Sequence, residues 1–200
     1  MPDASNENRL SLRERKHALV CNEIGHVAMQ LFLERGFDAT TVDDIVKAAG
    51  VGRRTFFRYF ETKEAVVLSA SEAFGKTVAD AIAEQPADCE PLRALENAFV
   101  VVVDAYDREP GARAFHRLIE EHPMLRARNL DQQERWCPLF AAALGRRVRA
   151  KRNAMALELL ARTSLAAFRT ALSHWSADPK ANLARTVAST FATLREGLGL

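Results

Sequence analysis

The chain has 200 residues, of which 48% are hydrophobic and 27% charged, and its formal net charge is +2. This length suits one compact unit or a small domain joined to a larger one, with enough apolar residues for a substantial core. A charge so close to zero excludes any argument for nucleic-acid binding from bulk charge, so that function must depend on where the basic residues lie. No apolar run approaches the roughly 18 residues needed to span a membrane.

The chain begins with a polar stretch, residues 1–10, that lacks the apolar core of a secretory signal, and we expect it to be a disordered lead-in. The three cysteines are far apart and form no CxxC pair, which is typical of a reduced, cytoplasmic protein. A first helix is predicted from about Ser11 to Arg35, with Gly36 at its end. Its apolar face consists of Val20, Ile24, Val27, Ala28, Leu31 and Phe32.

A short capped helix is predicted next. Thr41 is followed three residues later by Asp44, a capping pair that satisfies the free N–H groups at a helix start. Apolar residues then repeat at helical spacing. Gly50 ends this helix, because the residue after a helix end often needs the left-handed conformation that glycine adopts without strain.

A second short helix, Arg53 to Phe60, follows the turn made by Val51 and Gly52. On a wheel of about 100° per residue, Phe56 and Phe60 fall together and point inward. The opposite side and its edges carry Arg53, Arg54, Thr55, Phe57, Arg58 and Tyr59. Arginine can bind guanine O6 and N7, apolar atoms can contact the thymine methyl, and hydroxyls can reach phosphate oxygens. The pattern predicts a helix-turn-helix that enters the major groove of DNA.

Thr62 is predicted to cap the next helix, which places Lys63 beside a helix N-terminus, where a phosphate binds readily. The alternative is a surface helix with solvated arginines, but caps, turn glycine, inward phenylalanines and outward arginines all coincide here. The predicted DNA-binding residues are therefore Thr41, Arg53, Arg54, Thr55, Phe57, Arg58, Tyr59 and Lys63.

The segments TTVDDIVKAAGV and RRTFFRYFETKEAVV closely resemble the DNA-binding domain of the tetracycline-repressor (TetR) family. The resemblance runs from Arg15 to about Leu68. It implies that the rest of the chain is a divergent all-helical domain for ligand binding and dimerisation. The family often has serine where this chain has Gly52, and glycine at this N-cap removes a side-chain acceptor at small cost.

The remainder of the chain predicts helices and no convincing strand. Phe99 to Val103 favours a strand by propensity, but we interpret it as buried helix because apolar residues lead into it with helical spacing. We predict an all-α fold of about nine helices, with a three-helix helix-turn-helix domain at 11–62 and a C-terminal helical bundle at 63–200. The predicted later helices are Thr62–Glu84, one starting at Pro91, Ala112–Glu121, Pro123–Arg149 bent at Pro138, Asn153–Ser176 and Pro179–Leu198.

The last helix carries two parallel stripes, one large and apolar and one of small residues. Their members are Leu183, Val187, Phe191, Leu194 and Leu198, and Ala184, Ala188 and Ala192. Such a surface suits packing between two subunits or ordinary packing inside one subunit. The resemblance favours a homodimer, because the last two helices of this family commonly form a four-helix interface.

Large apolar residues are spread over several predicted C-terminal helices: Phe99, Phe115, Trp136, Phe140, Met155 and Phe168. They line either a core or a cavity for an effector. The resemblance favours a cavity, and its ligand is expected to be small and apolar, lipid-like or aromatic. His116, His122 and His174 are candidates for polar contacts, or are simply surface or capped histidines.

No catalytic or metal-binding pattern stands out, and we predict no enzyme and no cofactor. His116 and His122 are six residues apart, the wrong spacing for one helical face, and the cysteines are scattered. The sequence contains no glycine-rich phosphate loop and no nucleophile elbow.

The sequence therefore predicts a DNA-binding transcriptional regulator, a repressor that a small effector releases from a palindromic double-stranded operator. Two other interpretations stay open. One is a ligand-binding or protein-interaction scaffold with secondary DNA contact, and the other is a transcriptional activator.

Overall fold

A computed structural model describes residues 12–109, 111–147 and 153–199. This part of the chain is all-helical, as predicted, and contains ten helices and no strand. The predicted lead-in, residues 1–10, and the predicted cap at Ser11 lie outside the described residues. The helices are α1 (Leu12–Arg35), α2 (Val42–Ala48), α3 (Arg53–Tyr59), α4 (Lys63–Ala83), α5 (Pro91–Asp107), α6 (Ala112–Glu121), α7 (Pro123–Glu134), α8 (Trp136–Arg147), α9 (Ala154–Ala177) and α10 (Leu183–Leu198).

The chain divides into two compact units, Met1–Val67 and Leu68–Leu200. The first unit has its own small core, in which α1 packs on α2 and α2 on α3. Its fully buried side chains include Ile24, Phe32, Ile45 and Phe56. The division falls after Val67, five residues beyond the boundary predicted at 62, and Val66 and Val67 near the start of α4 are both buried.

Local signals define the ends of α2. Thr41 caps the helix in a capping box: its side chain accepts from the N–H of Asp44, and the Asp44 carboxylate accepts from the N–H of Thr41 at 2.9 Å. Gly50 has a φ of 64°, the left-handed region predicted for it. Both features of the sequence prediction are confirmed.

The second unit is built around α9, which packs against α8 and α10, while α5 packs against α10. Phe99 and Phe168 stack in its core with ring centroids 4.7 Å apart. The segment from Phe99 to Val103 is helical, as interpreted, but it is only partly buried: Phe99 and Val103 are fully buried in α5, whereas Val101 is 63% exposed. Burial therefore outweighs the β-propensity of this run.

The region predicted as one helix bent at Pro138 is two helices. The break lies at Arg135, between α7 and α8, and Pro138 is the third residue of α8. A proline is tolerated there because the first turn of a helix has no intrahelical partner for its N–H groups. The prediction of a bend at Pro138 was wrong, and the extra break raises the helix count to ten in the described residues.

Three residues of the large apolar stripe of α10 pack inside their own unit. Leu183, Val187 and Phe191 are fully buried. α10 begins at Leu183, later than the predicted Pro179, because the side chain of Asn182 accepts from the N–H of Arg185 and caps the helix there.

Two arginines tie helix ends together in the second unit. Arg147 of α8 is buried and donates to the carbonyl oxygens of Gln85, Pro86 and Cys89, just after α4. Arg113 of α6 donates to carbonyl oxygens at the end of α9 and stacks over Trp175. Each guanidinium supplies donors to carbonyl groups that the helix itself cannot satisfy.

Candidate DNA-binding surface and ligand cavity

The helix α3 is held by one face and exposed on the other. Phe56 and Phe60 are 0% and 5% exposed, which confirms the inward face predicted by the helical wheel. Gly52 caps the helix start in an extended conformation without a side-chain hydrogen bond. Phe57 is 47% exposed and lies edge-on against Phe56. A large apolar side chain is thus presented to solvent on the arginine-bearing face.

Arg54 and Arg58 are exposed and available to a ligand. Arg54 makes no side-chain hydrogen bond or ion pair with any residue that the structure describes. Arg58 contacts its neighbour Tyr59, donating to the phenol oxygen at 3.0 Å with its guanidinium 4.8 Å from the ring centre. Neither arginine is used to hold the unit together, so both can meet a DNA groove.

Arg53 differs from these two because it has a partner on α2. Its Nη1 lies 2.9 Å from one carboxylate oxygen of Asp43 and 3.0 Å from the other. The two side chains are 62% and 65% exposed. An ion pair in such contact with water stabilises a fold by only about 0–1 kcal/mol, so Arg53 can exchange Asp43 for another acceptor.

The ammonium group of Lys63 is hydrogen-bonded within its own chain. Its Nζ donates to the carbonyl oxygens of Phe37 at 2.7 Å and Thr40 at 2.9 Å, and lies 4.4 Å from the centre of the Phe37 ring. A third carbonyl, that of Asp38, is at 3.4 Å. The ammonium therefore closes the loop between α1 and α2, a role different from the predicted phosphate contact.

The remaining predicted residues lie in the same compact unit. Thr41 is exposed, but its hydroxyl is engaged in the cap of α2. Thr55 and Tyr59 are half-buried on one edge of α3, one helical turn apart. Thr41 and α3 belong to the same compact unit.

The second unit contains a cavity of about 270 Å³. Its walls come from α4, α5, α6, α7, α8 and α9 and are mostly apolar or aromatic. The lining residues are Ala70, Ser71, Ala73, Phe74, Thr77, Val102, Tyr106, Phe115, His116, Ile119, Asn129, Gln133, Trp136, Phe168 and Leu172. An apolar cavity with a few polar groups is the usual form of a small-molecule site.

Three of the six predicted ligand-binding residues line this cavity: Phe115, Trp136 and Phe168. Phe99 and Phe140 are fully buried in the core, edge-on to each other at 5.6 Å, and do not line it. Met155 is 73% exposed in the first turn of α9, so its prediction as a cavity residue was wrong.

Several cavity residues were missed from the sequence, including Phe74, Tyr106 and Asn129. Only the packing of separate helices reveals that they share a space. His116, considered for polar contacts, does line the cavity; burial lowers its pKa below the ordinary value, while Glu120 opposes that shift. At neutral pH His116 is therefore uncharged.

The described residues contain no group of three or more His, Cys, Asp or Glu side chains that could hold a metal ion. None of the described helices has the length and hydropathy to span a membrane.

Family models match both parts of the chain. Residues 24–70 match the model described as bacterial regulatory proteins, tetR family, and residues 89–199 match that of the MftR C-terminal domain. The chain belongs to the TetR family. It is accordingly a transcriptional regulator with a helix-turn-helix DNA-binding domain and a C-terminal ligand-binding domain of this family.

Named relatives agree with this assignment. The HTH-type transcriptional regulator TcmR of Streptomyces glaucescens is 35% identical over 65% of this chain, an alignment that spans 61% of TcmR. MftR of Mycobacterium tuberculosis, named as a candidate regulator of mycofactocin biosynthesis, is 29% identical over 92% of this chain and 93% of its own length. Among solved structures, the TetR-family repressor FadR of Thermus thermophilus, in complex with lauroyl-CoA, has a TM-score of 0.56 and 26% identity over 88% of this chain and 94% of its own.

Proposed function

We propose that this regulator is a repressor that binds a palindromic operator as a homodimer and leaves it when a small effector enters the cavity of the second unit. The observation that carries the proposal is the state of α3. Arg54 and Arg58 are exposed, and neither is held by an ion pair to a described residue. A regulator of this kind acts where the chromosome lies, so we propose the cytoplasm as its location.

In the proposed complex α3 lies in the major groove. Arg53 and Arg54, in the first turn of α3, approach base edges, where arginine prefers guanine. Phe57 contacts a thymine methyl. Arg58, Tyr59, Thr55 and Thr41 contact the phosphates beside the groove, which fixes the register of the protein without reading sequence.

The proposed dimer uses the outer side of α9 and α10, where an open groove is lined by small side chains. Ala166 of α9 and Ser189 of α10 are exposed there. A two-fold dimer presents two copies of α3, and its half-sites lie about one helical turn of DNA, roughly 34 Å, or a multiple apart.

The proposed effector acts by preferring a state in which the two copies of α3 no longer match this spacing. To weaken operator binding a hundredfold, it must favour that state by about 2.7 kcal/mol. α4 runs without a break from Lys63, which closes the α1–α2 loop, to the residues from Ala70 to Thr77 that line the cavity. We propose α4 as the element that transmits the effect.

Fluorescence anisotropy with labelled DNA from upstream of the chain's own gene tests the proposal, because such regulators often control a neighbouring gene. Saturable binding at 150 mM salt is expected, with random DNA of equal length bound at least a hundredfold more weakly. Footprinting should reveal a palindrome. Equal affinity for both DNAs would contradict the proposal.

A reporter gene placed behind the bound sequence separates repression from activation. Deleting the regulator should raise expression of the reporter. If deleting the regulator lowers expression of the reporter, the protein is an activator that uses the same DNA-binding surface.

A further inference from the structure

The cavity of the second unit has flat aromatic walls. Phe74 stacks on Phe168 with ring centroids 5.4 Å apart and an interplanar angle of 16°, and it lies 5.5 Å from the ring of Trp136. Tyr106 lies edge-on to Phe74 at 6.2 Å. Aromatic walls favour a flat aromatic ligand, because stacked and edge-on ring pairs attract each other beyond the effect of burying their area.

The cavity carries no charged side chain among the residues described as lining it. His116 is uncharged at neutral pH, as argued above. An ionised ligand would therefore lose its hydration inside the cavity without meeting an opposite charge. The volume of about 270 Å³ lies just below the range of ~300–1,000 Å³ that is usual for small-molecule sites. A compact, neutral molecule fits these properties.

The polar lining residues differ in their hydrogen bonding. Thr77, Tyr106 and Gln133 are paired within the chain, to the carbonyl of Ala73, the carbonyl of Ala112 and the guanidinium of Arg169. By contrast, Ser71 Oγ and Trp136 Nε1 are buried and have no hydrogen-bond partner among the described residues.

These two unpartnered groups belong to residues that line the same cavity, one on and one against the same stretch of α4. Trp136 packs directly on the backbone of Gly75, where any Cβ would overlap its indole ring. Ser71 is one helical turn before Gly75 on the same face of α4. An indole N–H can only donate, and a serine hydroxyl can donate too, so both groups suit an acceptor oxygen placed between them. A buried donor left unpaired destabilises the cavity, and such an oxygen would offset that loss.

We propose that the cavity binds an uncharged, flat, fused-ring aromatic molecule whose carbonyl oxygen accepts hydrogen bonds from Trp136 Nε1 and Ser71 Oγ. The inference rests on the proposed effector role of this cavity and specifies its ligand class. The stacked walls select the ring system, the uncharged lining selects a neutral molecule, and the two donors select the oxygen.

Isothermal titration calorimetry of the full chain with a matched pair of probes tests this. 9-Fluorenone and fluorene share a flat three-ring frame and differ in the carbonyl oxygen. Fluorenone is expected to bind about tenfold more tightly, the value of one or two hydrogen bonds. Ser71→Ala should reduce this ratio with little change in the binding of fluorene. Trp136→Phe should reduce the ratio further, while the loss of indole surface weakens the binding of both probes. Equal binding of the two probes, or an unchanged ratio in both variants, would overturn the proposal.

Two further probes test charge and shape. A neighbouring pocket shares His116, Asn129 and Gln133 with the cavity and is also lined by Arg126 and Arg169. If 9-fluorenone-2-carboxylate binds more tightly than fluorenone, the ligand is an acid that reaches these arginines, and the neutral class is wrong. If dodecanoate binds and displaces fluorenone, the cavity takes a flexible chain instead.

Operator binding is measured in parallel by anisotropy, so that the two proposals fail separately. If the protein binds specific DNA and dodecanoate releases it while fluorenone has no effect, the proposed aromatic ligand class is refuted and the proposed repressor function is supported. If fluorenone binds tightly but the protein binds no DNA specifically, the proposed repressor function is refuted and the proposed ligand class is supported.

Discussion

Three arginines lie within six residues on α3, and their surroundings differ. Arg53 is paired with Asp43, Arg58 leans on Tyr59, and Arg54 has no recorded partner in the described structure. A side chain without a partner loses no contact when it enters a groove. Arg54 is therefore the residue whose loss should report DNA reading most directly.

Replacing Arg54 by alanine should weaken binding to the operator by about 1–3 kcal/mol and relax the preference at one base pair. The control is Arg117→Ala, which removes the same charge from an exposed position on α6. Anisotropy titrations against the operator and single-base variants measure both effects. An equal loss in the two variants would mean that Arg54 supplies only general charge.

Replacing Lys63 by methionine should lower the free energy of unfolding by about 1–3 kcal/mol, because the carbonyl groups of Phe37 and Thr40 lose their donor. Urea denaturation measures the change, with Lys76→Met, an exposed lysine of the same helix, as the control. If the Lys63→Met variant has normal stability and its DNA binding becomes less sensitive to salt, the result would instead support the phosphate contact predicted from the sequence.

At the scale of single elements, local signals are well predicted from the sequence and helix breaks are not. The pair Thr41 and Asp44 and the glycine at 50 act through their nearest neighbours, so their roles follow from residue type and spacing. The break at Arg135 has no such signal: Pro138 suggested a bend, yet it sits harmlessly in the first turn of α8.

Gly75 shows the same limit within α4. A glycine inside a helix normally lowers stability by about 1 kcal/mol relative to alanine, and nothing in its sequence neighbourhood explains it. In the folded unit the indole of Trp136 occupies the space of the missing side chain. The residue is explained only by a helix more than fifty positions later in the chain.

Gly75→Ala should therefore lower the melting temperature and displace Trp136, despite the better helix propensity of alanine. Gly145→Ala is the matched control, because its new methyl group meets only Leu157 Cδ1 at 3.5 Å, an ordinary contact. That variant should be neutral or slightly stabilised. Calorimetry and tryptophan fluorescence follow both, and equal behaviour of the two variants would contradict the close packing at Gly75.

At the scale of the whole molecule, the all-helical fold was predictable because helical periodicity and breakers run through the whole chain. The exposed face of α3, which we propose binds DNA, was predictable for a related reason. Its residues lie within one short stretch, so a helical wheel is enough to sort them. The cavity draws on six helices, and periodicity identifies the buried residues of each helix without telling which of them border empty space. Thus Phe115 and Phe140 look alike in sequence, although only Phe115 lines the cavity.

The proposed dimer is tested at this scale. Ala166→Arg places a large charge in the groove of α9 and α10 and should convert the dimer to monomer, with operator affinity falling at least tenfold. Ala127→Arg, at an exposed position on α7, is the control for added charge. Sedimentation equilibrium and anisotropy measure the two effects. A monomeric wild type, or a dimeric Ala166→Arg variant, would refute this interface.

The pair formed by Asp43 and Arg53 has a further consequence for accuracy. In the proposed complex Arg53 must leave a carboxylate that then faces the anionic duplex by itself. The edge of a guanine provides two hydrogen-bond acceptors that replace the Asp43 carboxylate. A mismatched base provides fewer acceptors, and Arg53 then pairs with Asp43 again. The carboxylate thus acts as a built-in competitor that rejects near-cognate sites more strongly than the correct one. Neutralising it should make the regulator bind more tightly and discriminate less.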